Sequence, residues 1–144
     1  MTFTEATRRL RRRLGPRVVA TDAKTCFAAS FDSSKISFLP EAVIMPRKEA
    51  EIGVVLEAAN AAGVPVTVRG RGTTLMGSAA PVKGGWVIDM LALNQIKIDG
   101  VAGMAHVQCG AKLGDIHRAA EAVGWFYPPD PSSKEYCTIG GNIA

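Results

Sequence analysis

Apolar positions along this chain change period several times, and each change marks an element. Phe3, Ala6, Leu10 and Leu14 recur at spacings of three and four, with arginines on the opposite face, until Gly15-Pro16 stops the pattern. This predicts an amphipathic N-terminal helix, and Thr2 followed by Glu5 has the spacing of a capping box. Residues 20–40 are polar and mixed, with Asp32-Ser33-Ser34 as a turn signal, and read as a connecting segment. Ala42-Val43-Ile44-Met45 is then a continuous apolar run that suits a buried strand. Pro46 opens a helix with Ile52, Val55, Leu56 and Ala59 on its inner face and Gly63 at its end, and Pro65 to Val68 is the next strand. Strand, helix and strand in that order predict a βαβ unit with parallel strands and a right-handed crossover.

Further on, Trp86 to Met90 and Met104 to Cys109 read as strands, and Asn94 to Gly103 can form a short strand and turn between them. A second amphipathic helix runs from Lys112 to Val123, with Leu113, Ile116, Ala120 and Val123 inward and Gly124 as its C-cap. The change from βαβ to strand, turn and strand predicts a second subdomain from near residue 82. Ile139-Gly140-Gly141-Asn142-Ile143-Ala144 ends on an apolar residue with no helix cap or polar tail, as expected of a chain that stops within an element.

Seventeen residues, 69–85, separate the strand ending at Val68 from the one starting at Trp86, and they show no hydrophobic period. Loops of that length inside compact domains are usually functional or disordered. Leu75, Met76, Ala79, Ala80 and Val82 give this one apolar groups to bury, which favours order. Gly70, Gly72 and Gly77 allow positive φ and close backbone approach, so successive N–H groups can converge on one anion. Thr73, Thr74 and Ser78 add hydroxyl donors, and Arg69 and Arg71 add positive charge. The combination suits a diphosphate. No Gly-Lys-Ser/Thr follows, so it is not a Walker loop, and Gly70-Arg71-Gly72-Thr73-Thr74-Leu75 lacks the third glycine of the dinucleotide fingerprint. On the loop's own residues, an ordinary glycine-rich surface loop fits equally well.

With 144 residues, 47% of them apolar, the chain can build one modest core. Its net charge of +4 is concentrated in Arg8, Arg9, Arg11, Arg12, Arg13 and Arg17. A solvated helix face accounts for that cluster better than nucleic-acid or lipid binding, because no aromatic or glycine-rich nucleic-acid module accompanies it. Cys26, Cys109 and Cys137 are odd in number and widely spaced, which points to neither a disulfide framework nor a zinc site, and a reducing cytoplasm is the expected setting. No apolar run approaches the roughly eighteen residues of a membrane span, and no secretion signal is evident. His106 and His117 have no second ligand at metal spacing and read as structural, so no metal site is expected. Asp130 and Ser133 have no base placed to serve them and read, by themselves, as turn formers.

Three stretches resemble one family in the same order. They are Leu39-Pro40-Glu41-Ala42-Val43-Ile44-Met45-Pro46, the glycine loop, and Gly124-Trp125-Phe126-Tyr127-Pro128-Pro129-Asp130-Pro131-Ser132-Ser133 through Cys137-Thr138-Ile139-Gly140-Gly141-Asn142. Together they resemble the FAD-linked oxidases of the glycolate oxidase D-subunit and D-lactate dehydrogenase type. The resemblance implies an α+β chain with the FAD-binding fold shared by vanillyl-alcohol oxidase and p-cresol methylhydroxylase. A small βαβ subdomain would be followed by the start of a second mixed subdomain, with the chain truncated at its C-terminus. Residues 1–35 would form an N-terminal helix and connecting segment, and residues 36–144 the N-terminal part of the FAD-binding domain.

In that family the glycine loop holds the pyrophosphate. The resemblance carries this to Arg69, Gly70, Arg71, Gly72, Thr73, Thr74 and Gly77, with Ser78 beside them. It carries the lining of the ribityl chain and flavin ring to Pro129, Asp130, Ser133, Cys137, Thr138, Gly140, Gly141 and Asn142, where Gly140-Gly141 would let backbone approach a flat ring. Some members of the wider fold attach FAD covalently through a loop histidine. Thr73 stands at the comparable position, so non-covalent FAD is implied. The full-length protein would oxidise a 2-hydroxy acid of the glycolate or D-lactate kind by hydride transfer to FAD. An iron–sulfur or other electron-acceptor subunit is an implied partner, and catalytic residues would lie beyond residue 144. Two other readings stand beside this one: a truncated, non-catalytic module that binds FAD or nucleotide, and a reductase of the UDP-N-acetylenolpyruvoylglucosamine type. The stretch Tyr127-Pro128-Pro129-Asp130-Pro131 argues against the last.

Overall fold

The computed structural model describes residues 2–144. Helix α1 spans Phe3–Leu14, and the Thr2 hydroxyl accepts the Glu5 amide at its N-terminus. Only half of the expected capping box forms, because the Glu5 carboxylate turns instead to Arg9, four residues on, at 2.7 Å. The stretch read as a connection holds two elements, strand β1 (Val19–Ala20) and helix α2 (Ala23–Ala28), the latter capped by Asp22 accepting the Thr25 amide at 2.9 Å.

Strand β2 (Ala42–Ile44), helix α3 (Glu49–Ala62) and strand β3 (Val66–Arg69) follow as the pattern predicts. The Glu51 carboxylate accepts the Arg47 and Lys48 amides, so α3 begins three residues after Pro46. Gly63 ends it in the left-handed region at φ +63°. Leu56, expected inside, is 47% exposed. The buried face of α3 is instead centred on Val55 and Ala59 and turned toward Ala58 and Ala62, where the arginine helix α1 packs on it.

Strand β4 (Trp86–Asp89) sets the architecture. It lies between β2 and β3, parallel to both, and β1 closes the far edge antiparallel, giving the order β1-β2-β4-β3. The βαβ unit is therefore split, and β4 belongs to the first sheet rather than to a second subdomain starting near residue 82. The reason is visible in its burial: Trp86, Val87 and Ile88 are buried on both faces, as a central parallel strand requires. The second unit starts after β4. It comprises the antiparallel hairpin of β5 (Ile96–Asp99) and β6 (Met104–Val107), helix α4 (Leu113–Glu121) and the short helix α5 (Ile139–Ile143). Leu113, Ile116 and Ala120 face inward as read, whereas Val123 lies past the helix end and is half exposed.

A buried hydrogen-bond chain pins α1 to the central strand. Trp86 Nε1 donates to Thr7 Oγ1 at 2.8 Å, and the Thr7 hydroxyl faces the Phe3 carbonyl at 2.9 Å and the Glu41 carboxylate at 2.8 Å. Thr7→Val removes the acceptor but keeps the shape. It is expected to lower stability by about 1–3 kcal/mol in urea unfolding, because the indole N–H stays buried and unpartnered. An unchanged urea midpoint would show that the bond contributes nothing.

Candidate FAD site

All three parallel strands end on the same side, where ligands bind in open parallel sheets. The glycine loop leaves the end of β3 there and meets the C-terminal segment across a cleft of about 640 Å3. From the loop side, Arg69, Gly70, Arg71, Gly72, Thr73, Thr74 and Ser78 line it; from the other side come Ser133, Cys137, Thr138, Gly141 and Asn142. Two motifs some sixty residues apart in sequence thus form one concavity. Val68, Met76, Ala79, Pro131 and Ala144 also border it and were not among the expected site residues. Their apolar character gave no local signal of a role in binding.

Four expected residues stand outside the lining. Gly77, at φ +74°, turns the loop against Ile36, with a Cβ there only 3.2 Å from Ile36 Cδ1. Pro129 offers its carbonyl to His117 Nε2 at 3.0 Å. Asp130 pairs with Lys134 at 2.9 Å, and that bond holds its carboxyl below the ordinary range. Gly140 packs against the second unit: a Cβ would lie 2.9 Å from Cys109 Cβ and 3.0 Å from its carbonyl oxygen. Close backbone packing, rather than approach to a ring, is what its position demands.

The loop also differs from its reading in what it buries. Ala79 and Ala80 are buried, while Leu75, Met76 and Val82 are exposed at 75%, 86% and 55%. Its order comes from polar links instead. The two arginines divide the work. Arg69 Nη1 donates to the carbonyls of Ala29 and Phe31, both at 3.0 Å, and Nη2 lies under Gly72, where a Cβ would come within 2.5 Å of it. Burial lowers the pKa of this guanidinium against the opposing pull of Asp89 and Asp32. Arg71 is exposed at the cleft and available to an anion. Asp89, at the end of β4, is pushed up by burial despite the Leu91 amide, Arg69 and Arg71.

The far wall is fixed by the second unit. Leu113 N–H donates to the Cys137 carbonyl, Ile139 N–H to Ala111 and Gly140 N–H to Cys109, at 2.9–3.1 Å. Thr138 is held 3% exposed, and a Cβ on Gly70 would overlap its Oγ1. The two halves of the cleft meet at that contact.

Whether such a cleft suits a dinucleotide can be tested on its donors. Among the described residues, the amides of Arg71, Gly72, Thr73 and Thr74 donate to no group of the protein. Four successive unspent N–H groups, an exposed arginine and nearby hydroxyls are the donor set a diphosphate needs. The residues fit. No histidine or carboxylate lines the cleft, and no group of three or more metal-ligating side chains occurs among the described residues.

Comparison with known proteins decides the family. Residues 40–144 match the FAD binding domain family. The chain belongs to it. A relative in this FAD-binding family, glycolate oxidase subunit GlcD of Bacillus subtilis, is 44% identical over 116 residues, which cover 79% of this chain and 25% of that protein. D-lactate dehydrogenase of Anaerostipes hadrus is 35% identical over 106 residues, covering 73% and 22%. Among solved structures, alkyldihydroxyacetonephosphate synthase superposes with a TM-score of 0.85 at 22% identity, over 98% of this chain and 31% of that one. The grass pollen allergen Phl p 4, described with glucose dehydrogenase activity, gives 0.81 at 21%, over 99% and 31%. These likenesses establish the α+β FAD-binding fold of the vanillyl-alcohol oxidase type. The chain spans about a quarter of the length of the curated relatives it matches. No helix among the described residues is long and apolar enough to cross a membrane.

Proposed function

We propose that this chain is the cofactor-holding part of a flavin-dependent oxidoreductase that acts on a 2-hydroxy acid of the glycolate or D-lactate kind. The carrying observation is the single cleft lined both by residues 71–74, whose amides are unspent, and by Thr138, Gly141 and Asn142. In this reading the loop amides and Arg71 hold the diphosphate, the Thr73, Thr74 and Ser78 hydroxyls complete its shell, and Ser133, Thr138, Gly141 and Asn142 border the rest of the cofactor. The bound flavin supplies the two-electron acceptor chemistry; these residues bind and orient it. The names of the relatives support the substrate class, and a subunit among them supports assembly with an electron-acceptor partner, iron–sulfur or other.

FAD is held non-covalently in this reading. The glycine loop carries no imidazole or thiol, and the cleft thiol of Cys137 is packed into the second core beside Ala111 and Leu113. Three free thiols suit a reducing, cytoplasmic setting. The test is a titration of the chain with FAD followed by flavin fluorescence, then acid precipitation of the complex. Saturable quenching is expected, with all of the flavin recovered in the acid supernatant. Flavin retained in the pellet would overturn the non-covalent reading, and no saturable binding by a folded chain would overturn the cofactor-holding role.

A further inference from the structure

Residues 29–36, which precede the matched region and read in sequence as a mere connection, grip the glycine loop at three points along its length. At the loop's start, Arg69 Nη1 is held by the Ala29 and Phe31 carbonyls. Three residues on, the Ser33 amide donates to the Gly72 carbonyl at 3.0 Å. Past the loop's middle, Asp32 Oδ2 accepts the Ala79 amide at 3.1 Å. Asp32 is 4% exposed, and its other oxygen takes both the amide and the hydroxyl of Ser34, so the carboxylate has one orientation. None of these residues lines the cleft. They hold the loop from behind.

The direction of one of these bonds connects them to the ligand. In a trans peptide the C=O and the following N–H point opposite ways. With the Gly72 carbonyl drawn toward Ser33, the Thr73 N–H is turned away from Ser33, and Thr73 is among the residues that line the cleft. We propose that the Asp32-Ser33-Ser34 turn is a positioning device of the FAD site, which sets the loop amides toward the diphosphate before the ligand arrives. This rests on the FAD reading above. A loop ordered in advance spares the ligand the cost of ordering it, so loosening the turn weakens binding without removing any group that touches FAD.

The experiment compares the parent chain with Asp32→Ala, Asp32→Asn and Thr7→Val, the last a destabilised control altered far from the cleft. Flavin fluorescence gives FAD affinity, and thermal unfolding gives stability. Amide exchange at Ala80, whose N–H bonds Gly77 within the loop, gives loop order in the ligand-free chain. Asp32→Ala is expected to weaken FAD binding by about tenfold or more and to speed Ala80 exchange by a similar factor, as loss of preorganisation requires. Asp32→Asn keeps one acceptor but turns its NH2 against an N–H donor, either the Ala79 or the Ser34 amide. It is expected to lose much of the affinity and of the loop order as well, while Thr7→Val loses stability yet keeps FAD affinity within about twofold, its bond lying outside the site. Asp32→Ala binding FAD as the parent does, or leaving Ala80 exchange unchanged, would overturn the positioning role. A folded parent that binds no FAD would overturn the function proposed above instead, and Ala80 exchange would still judge the brace.

Discussion

Gly70→Val is expected to cost the chain about ten- to a hundredfold in FAD affinity, since overpacking a tight contact costs about 1–3 kcal/mol and each 1.4 kcal/mol is tenfold. The crowding falls first on the Thr138 hydroxyl. A Cβ at residue 70 would overlap Thr138 Oγ1 and lie 3.2 Å from Thr138 Cβ and 3.3 Å from Cγ2. Turning the threonine about χ1, itself restricted by its branched Cβ, moves the hydroxyl but leaves the Cβ contact tight, and the two valine methyls need space beyond it. Thr138 cannot retreat either, because it is 3% exposed and its neighbours Cys137 and Ile139 are hydrogen-bonded to Leu113 and Ala111. The loop and the far wall must separate, and the cleft between them widens. Flavin fluorescence reads the affinity, and far-UV circular dichroism shows that the chain is still folded. Affinity within twofold of the parent would refute the contact between the two halves as the feature that shapes the site.

Trp86→Ala is expected to be the most damaging single change to the fold. The indole is fully buried at the start of the central strand, between partners on both sides, and its N–H is bonded to Thr7. Emptying such a site costs about 3–5 kcal/mol. A domain of this kind has only about 5–15 kcal/mol in all, so the variant is expected to be largely unfolded at moderate urea where the parent is not. Trp86→Phe keeps most of the volume and should lose substantially less. Urea unfolding followed by circular dichroism separates the two; a loss below about 1 kcal/mol for the alanine variant would contradict a central position for this strand.

The candidate site was partly legible because part of it is local chemistry. Glycines, hydroxyls and arginines packed into residues 69–78 suit an anion cradle as well as an ordinary surface loop, and it was the resemblance that favoured the cradle and supplied its partner segment. Arg69 shows where that reading stops. Its charge next to Gly70 points to phosphate, yet Nη1 of its guanidinium is taken by the carbonyls of Ala29 and Phe31. Nothing within a few residues of Arg69 predicts those acceptors, because they lie about forty positions earlier. Gly140 likewise has a demand the sequence does not show: a Cβ there would crowd Cys109, about thirty residues earlier.

By itself the sequence determined the main helices α1, α3 and α4 and the strands β2 to β6, and that a glycine-rich loop follows a strand. These depend on period, caps and turn residues, all interactions within a few positions. Strand β1 and helix α2 were hidden in a stretch without clear period, and α4 stops at Glu121 rather than Val123. Tertiary structure alone decided that β4 enters between β2 and β3, and that α1 is bonded through Thr7 to Trp86. It alone decided that residues 29–36 stand behind the loop while Thr138 to Asn142 face it. Those outcomes rest on pairings between groups dozens of residues apart. Each such pairing is selected by burial and hydrogen-bond satisfaction across the whole fold, and no local pattern records it.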